Sequence, residues 1–421
     1  MDKIEIIGGN PISGTVKISG SKNSALPILA CSLLTKDIME LLNVPELSDI
    51  HSMIKLLDSL NTEISFKTNK ARLKSSRPQR NFASYDLVRK MRASFLVLGP
   101  LLSKYGNAKV SLPGGCAIGA RPIDMHLEGF EKMGAKFLIE DGYVIGEVKK
   151  KLKGAKIILP FQSVGATENL LMAACLADGE TIISNAAQEP EIIDLGKCLI
   201  LMGASIEGLG SKRIKIIGKK KLSGCKYRVM PDRIEAGTYA LAVLGCSGSL
   251  KITNLDEPLI DNFIKIFSSF DNFVIKKVDD NAMIVLSEKI PFKGVRIKTA
   301  PFPGFPTDLQ AQLSAVMTKG LGESIIEETI FENRFMHVAE LIRMGAEMNI
   351  DGAKVIIQGK DEIHGAQLMA TDLRASSSLI IAGLMAEGKT IINRVYHLDR
   401  GYENIEKKLS KCNVKIRRIK N

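Results

Sequence analysis

Residues 130–139 read FEKMGAKFLI: a helix-like run closing on Met133, a glycine at 134, and a β-prone segment behind it. Glycine there suits the left-handed residue that ends a helix before a strand. The same text returns as LILMGASIEG at 199–208, around Gly203, and LIRMGAEMNI at 341–350, around Gly345. The first interval, 134 to 203, is 69 residues; the second, 203 to 345, is 142, close to two units. A weaker copy is therefore expected midway, and IFSSFDNFVI at 266–275 places Asp271 at the turn. Outward extension adds LLDSLNTEISF at 56–66, with Asn61, and KLSKCNVKI at 408–416, with Asn413. Asn and Asp adopt left-handed backbone more readily than other residues with a side chain. Positions 61, 134, 203, 271, 345 and 413 are then 73, 69, 68, 74 and 68 apart.

Each unit also carries an apolar helix, a turn and a β-rich run, as in ALPILACSLLTKDIMELLNV (25–44), NLLMAACLADGETIISNA (169–186), YALAVLGCSGSLKITNL (239–255) and SLIIAGLMAEGKTIINRV (378–395). Helices apolar nearly all round must be buried. The units therefore read as strands covering internal helices, an α/β fold. Six units permit a ring, a solenoid or two three-unit domains. No distinct capping repeat favours a solenoid, and 421 residues exceed what one core usually holds. Two domains are expected, 22–230 and 1–21 with 231–421, crossing over near the proline of YRVMPD (227–232). The first strands, up to about Gly20, are expected to pair with the last unit across the termini.

Nothing at the N-terminus resembles a signal peptide and no run of about 18 apolar residues suggests a membrane span. Seven scattered cysteines without C-x-x-C spacing point to reduced thiols and a cytoplasmic setting. A net charge of +12 favours anionic partners. The densest basic run, Lys67 to Arg80, lacks an aromatic residue for base stacking and an apolar face for a membrane, so nucleic acid is not expected. Histidines 51, 126, 337, 364 and 397 lack metal-ligand spacing, and neither phosphate-loop nor dinucleotide fingerprint is present. Neither metal nor cofactor is expected.

LPGGCAIGARPIDMH, residues 112–126, is the least ordinary segment. Cys116 stands mid-loop among glycines with Arg92 and Arg121 near in sequence, which suits a reactive thiol; one small hydrophobe among seven cysteines is the other reading. Lys22, Arg92, Arg233 and Arg374 all precede apolar helices, where a basic side chain adds to the anion affinity of a helix N-terminus. Singly each is an ordinary exposed cap, but aligned by the repeat they read as an anion site, with Arg400 in HLDRGYE a further cation. Asp308 opens the helix of the fifth unit, either as an N-cap or as a general base.

Eight segments in order, KISGSKNSALPIL (17–29), DLVRKMRASFLVLGPLL (86–102), LPGGCAIGARPIDMH, PDRIEAGTY (231–239), FPTDLQAQ (305–312), FENRFMHV (331–338), MATDLRASSSL (369–379) and HLDRGYE (397–403), span the chain. On these the chain resembles the UDP-N-acetylglucosamine 1-carboxyvinyltransferase family of enolpyruvyl transferases. The resemblance implies a two-domain inside-out α/β barrel of six βαβαββ units with substrates between the domains. It implies phosphoenolpyruvate and UDP-N-acetylglucosamine as substrates and peptidoglycan synthesis as the setting. By resemblance, Lys22, Arg121 and Arg400 surround the phosphate of phosphoenolpyruvate, with Asn23, Arg92 and Arg374 alongside. Cys116 is implied as proton donor and Asp308 as base for the sugar 3-hydroxyl. Nucleotide contacts are implied for Arg121, Pro122, Ile123, Asp124, Met125, Ser163, Val164, Gly165 and Ile330. Where relatives carry a lysine upstream of the Ser-Val-Gly turn, this chain has Pro160, Phe161 and Gln162. The related 5-enolpyruvylshikimate-3-phosphate synthase and a non-catalytic sugar-nucleotide sensor are the competing readings.

Overall fold

The computed structural model describes residues 2–89, 91–113, 123–268, 270, 273–287 and 292–420. The repeated turns are left-handed where described: φ is 62° at Asn61, 94° at Gly134, 102° at Gly203, 93° at Gly345 and 58° at Asn413. Asp271 lies outside the described residues.

The third repeat shows the unit whole. Strand Lys156–Ile158 leads to a buried helix, Val164–Ala174, then strand Glu180–Ser184, a surface helix Pro190–Leu201, and strands Ser205–Glu207 and Arg213–Ile217. The first two strands pair in parallel, which the intervening helix makes possible; the others pair antiparallel. Six four-stranded sheets repeat this layout. In strand Lys70–Ser75, Ala71, Leu73 and Ser75 point inward while Lys70, Arg72 and Lys74 are exposed, so each sheet shows one face to water.

Six central helices carry the repeat: α1 (Lys22–Ala30), α2 (Leu98–Tyr105), α3 (Val164–Ala174), α4 (Arg233–Cys246), α5 (Gln310–Met317) and α6 (Leu373–Met385). Every residue of α4 after Arg233, and of α6 after Leu373, is buried. Helices α1, α3, α4 and α6 start at side-chain caps, Ser21, Ser163, Asp232 and Asp372. Such a cap stabilises its helix by about 1 kcal/mol. Short 3-10 segments, Arg92–Val97 and Thr307–Leu309, precede α2 and α5 instead.

Two compact units result, dividing at Ser19/Gly20 and Met230/Pro231, each with its own apolar core. The first encloses α1–α3. Strand Lys226–Arg228 returns to pair in parallel with Met39–Leu42, supplying the first strand of the first repeat from the end of the third. The second encloses α4–α6 and uses the N-terminus twice. Strand Lys3–Ile7 lies between Lys389–Asn393 and Lys415–Ile419 in the last sheet. Strand Ile12–Lys17, however, pairs in parallel with Gly248–Thr253 of the fourth repeat. The expectation that the opening strands join the last unit holds for the first of them only; the second fills the leading-strand place of the fourth repeat, which has no strand of its own there. No described helix is long and apolar enough to cross a membrane.

Candidate active site

Of the expected site residues, Lys22, Asn23, Arg92, Ser163 to Gly165, Asp308 and Arg374 lie at or just ahead of central helices; Ile123, Asp124, Met125, Ile330 and Arg400 do not. Cys116, Arg121 and Pro122 lie outside the described residues.

In the first unit, Lys22 is the first residue of α1, and its Nζ is 3.4 Å from Oδ2 of buried Asp49. Asn23 follows; Pro27 has no N–H to return to the Asn23 carbonyl, which is left free of its helical partner. Ser24 roots the helix below by donating to Asp194. Asp194 also accepts from Tyr227 Oη at 2.6 Å and from the Met230 N–H at 3.1 Å. Burial raises its carboxyl above the usual range, against the lowering effect of those bonds.

Arg92 begins the 3-10 segment ahead of α2. His126 Nδ1 is 3.1 Å from Asn169 Nδ2, and its ring stands edge-on to Phe95. An amide NH2 only donates, so Nδ1 is the acceptor and the ring proton sits on Nε2. Burial, helped by the Arg92 charge, pushes His126 down to about 3. Ile123 and Met125 are buried, whereas Asp124 is the exposed first residue of helix Asp124–Lys132. Ser163, Val164 and Gly165 form the part-exposed start of α3, where Ser163 Oγ accepts the Ala166 N–H. Beside it Phe161 is 58% exposed, and Gln162 turns away to Ala186 O and Gln188 Oε1. Neither residue brings a charge to the turn.

The second unit is tied more tightly. The Asp308 side chain, 22% exposed, receives Arg334 at Oδ1 (2.6 Å) and Arg374 at Oδ2 (2.7 Å). It caps no helix; the N-cap position of its 3-10 segment is Pro306, so the capping role is replaced by a double ion pair. Arg374 Nη1 reaches Tyr402 Oη at 3.3 Å, and that hydroxyl is 2.8 Å from Thr238 Oγ1. Gln312 Nε2 joins Thr238, Tyr402 and the Asp308 carbonyl. Burial opposes the Arg374 charge, but Asp308 and its neighbours outweigh it and raise its pKa. Arg233 opens α4 with its guanidinium carbon 5.9 Å from the Phe302 ring centre. Arg400 closes the 3-10 segment Val395–Arg400 beside His397, whose pKa burial lowers, the Arg400 charge adding to the effect. Ile330 lies just past strand Glu323–Glu327, its N–H donated to Glu328 at 2.8 Å.

Sequence reading missed Arg334, Asp49, Tyr402 and Glu328 as partners of these residues. Arg334 sits inside the quoted FENRFMHV, yet a cation before a helix gives no sign of which carboxylate it meets. Glu328 reads like its exposed neighbours in sequence, and only the fold shows it buried.

Residues 6–409 match the family model described as EPSP synthase (3-phosphoshikimate 1-carboxyvinyltransferase). The chain is 50% identical to UDP-N-acetylglucosamine 1-carboxyvinyltransferase of Paramagnetospirillum magneticum, with 100% of this chain and 99% of that one aligned. It is 51% identical to the protein of the same name from Shewanella amazonensis, covering both chains fully. Among solved structures, the enolpyruvyl transferase NikO from Streptomyces tendae superposes with a TM-score of 0.88 at 23% identity, over 99% of this chain and 98% of that one. EPSP synthase from Acinetobacter baumannii gives 0.76 at 16% identity over the whole of both chains. Those two likenesses establish the fold alone, the inside-out α/β arrangement of six repeated units. The half-identity over full length separates one branch from the other. The chain belongs to the EPSP synthase family and, within it, to the UDP-N-acetylglucosamine 1-carboxyvinyltransferases.

Proposed function

We propose that this enolpyruvyl transferase moves the enolpyruvyl group of phosphoenolpyruvate to the 3-hydroxyl of UDP-N-acetylglucosamine and releases phosphate, committing the sugar nucleotide to peptidoglycan. The full-length identity to relatives of that name carries the reading. The Asp308 arrangement supports its chemistry. An arginine donates to each of its carboxylate oxygens, which fixes the orientation of the group that would take the proton. Proton transfer to a positioned carboxylate contributes about 10²–10⁴ in rate.

In this mechanism Cys116 protonates C3 of phosphoenolpyruvate, making C2 electrophilic. The sugar oxygen attacks C2 as Asp308 takes its proton. The tetrahedral adduct then loses a proton from C3 and breaks the bond from C2 to the phosphate oxygen. Lys22, Arg121 and Arg400 stabilise the departing phosphate, with Asn23, Arg92 and Arg374 alongside. The nucleotide is held by 121–125, by Ser163, Val164 and Gly165, and by Ile330. The first N–H groups of α3 suit a diphosphate in the place of the absent lysine.

Purified protein mixed with phosphoenolpyruvate and UDP-N-acetylglucosamine should release phosphate. Release only with shikimate 3-phosphate would move the chain to the sister activity, and none with either acceptor would mark a binding protein. Cys116→Ser should stop turnover at an unchanged unfolding midpoint, whereas Cys31→Ser, in the core, should lower the midpoint and leave the rate per folded molecule intact.

A further inference from the structure

Glu328 is 3% exposed and organises three chain segments. Its Oε1 accepts the N–H groups of Ile330 at 2.8 Å and Phe331 at 3.2 Å and the hydroxyl of Thr299 at 3.1 Å. Its Oε2 accepts the hydroxyl of Thr307 at 2.7 Å. Thr307 immediately precedes Asp308, and Ile330 is the nucleotide contact expected on this unit. A second path joins the same two places: the Arg334 guanidinium carbon lies 5.0 Å from the Phe331 ring centre while its Nη2 holds Asp308. Four donors converge on one buried carboxylate, and removing it would leave two N–H groups and two hydroxyls without their acceptor.

We propose that Glu328 is a positioning residue that holds Asp308 and Ile330 in fixed register, so that seating the nucleoside end of the acceptor sets the base against the sugar hydroxyl. This rests on the function proposed above and deepens it. The two carboxylate oxygens serve different ends of the link, and that gives the test its resolution.

Steady-state kinetics with both substrates are compared for the unaltered chain, Thr307→Val and Glu328→Ala, with unfolding midpoints recorded to count folded molecules. Thr307→Val cuts only the Oε2 side; kcat should fall about 10-fold with both KM values unchanged, as expected for a misplaced reacting group. Glu328→Ala removes both sides; kcat should fall by about 10–100-fold and KM for UDP-N-acetylglucosamine rise several-fold, while KM for phosphoenolpyruvate stays put. Kinetics per folded molecule unchanged in both variants overturn the proposal, as does a parallel rise in both KM values. No phosphate release from the unaltered chain would instead overturn the function beneath it, and the proposal with it.

Discussion

The two units share one plan, three buried helices with charged or polar residues at their starts, yet they use it differently. In the second, Asp308, Arg334, Arg374 and Tyr402 bond to one another, and both arginines are almost wholly buried. In the first, Lys22 reaches Asp49 at 3.4 Å, the Arg92 charge helps lower the pKa of buried His126, and Ser163 brings no charge. The repeat places helix ends; at them the second unit sets a carboxylate between two arginines, and the first sets Lys22 and Arg92.

The largest expected effect tests that contrast. Arg374→Ala removes one guanidinium from Asp308 and a donor from Tyr402. Breaking a buried ion pair on one side costs about 3–5 kcal/mol, and activity should fall with it. Lys22→Ala should abolish turnover as completely but cost less, since its 3.4 Å contact to Asp49 is longer than the arginine contacts of Asp308. Urea unfolding of the two variants beside phosphate release measures both quantities. Equal destabilisation would show that the units are not built differently.

Much of the fold was legible because the described turns demand left-handed backbone, and glycine and asparagine mark it at a regular spacing. The division of labour between the opening strands was not legible. Ile12–Lys17 reads as a strand, but nothing local reveals which sheet lacks its leading member. Lys22, Arg92, Arg233, Asp308 and Arg374 were found at helix starts from the repeat alone. Arg334 and Glu328 were not, since the carboxylate that Arg334 meets and the hydroxyls that Glu328 meets lie elsewhere in the sequence and carry no periodicity.

Acid should act on both units from the same onset, and its effect should run to lower pH in the first. Burial lowers His126 to about 3 and His337 to about 4 from an ordinary 6.5; the Arg92 charge assists the first shift and the Asp372 charge opposes the second. Both rings fold neutral, so their contribution is complete above pH 6.5. As pH falls below that, the unfolded chain takes protons that the folded chain refuses, and stability declines until the folded pKa is passed. The loss is roughly 3–5 kcal/mol for each ring. His337→Gln cannot titrate, so its urea midpoint should fall less between pH 7 and 4 than that of the unaltered chain. Equal slopes would mean that His337 takes its proton as readily folded as unfolded.

The smallest effect concerns the helix start without charge. Phe161 is exposed beside the Ser163-Val164-Gly165 turn, and the resemblance places a lysine just upstream of that turn. Gln162 is already engaged with Ala186 and Gln188, so position 161 is the one at which a new side chain meets no existing hydrogen bond of its own. Phe161→Lys adds a cation near the positive end of α3, where an anionic ligand gains from both. A partly exposed charge-assisted contact adds about 1 kcal/mol, so KM for UDP-N-acetylglucosamine should fall about 5-fold, and less at high salt. KM for phosphoenolpyruvate and kcat should stay unchanged, because the added charge serves binding of the acceptor equally in the ground and transition states. An unchanged acceptor KM would mean that the helix N–H groups of α3 already satisfy the diphosphate, leaving the lysine no contact to make.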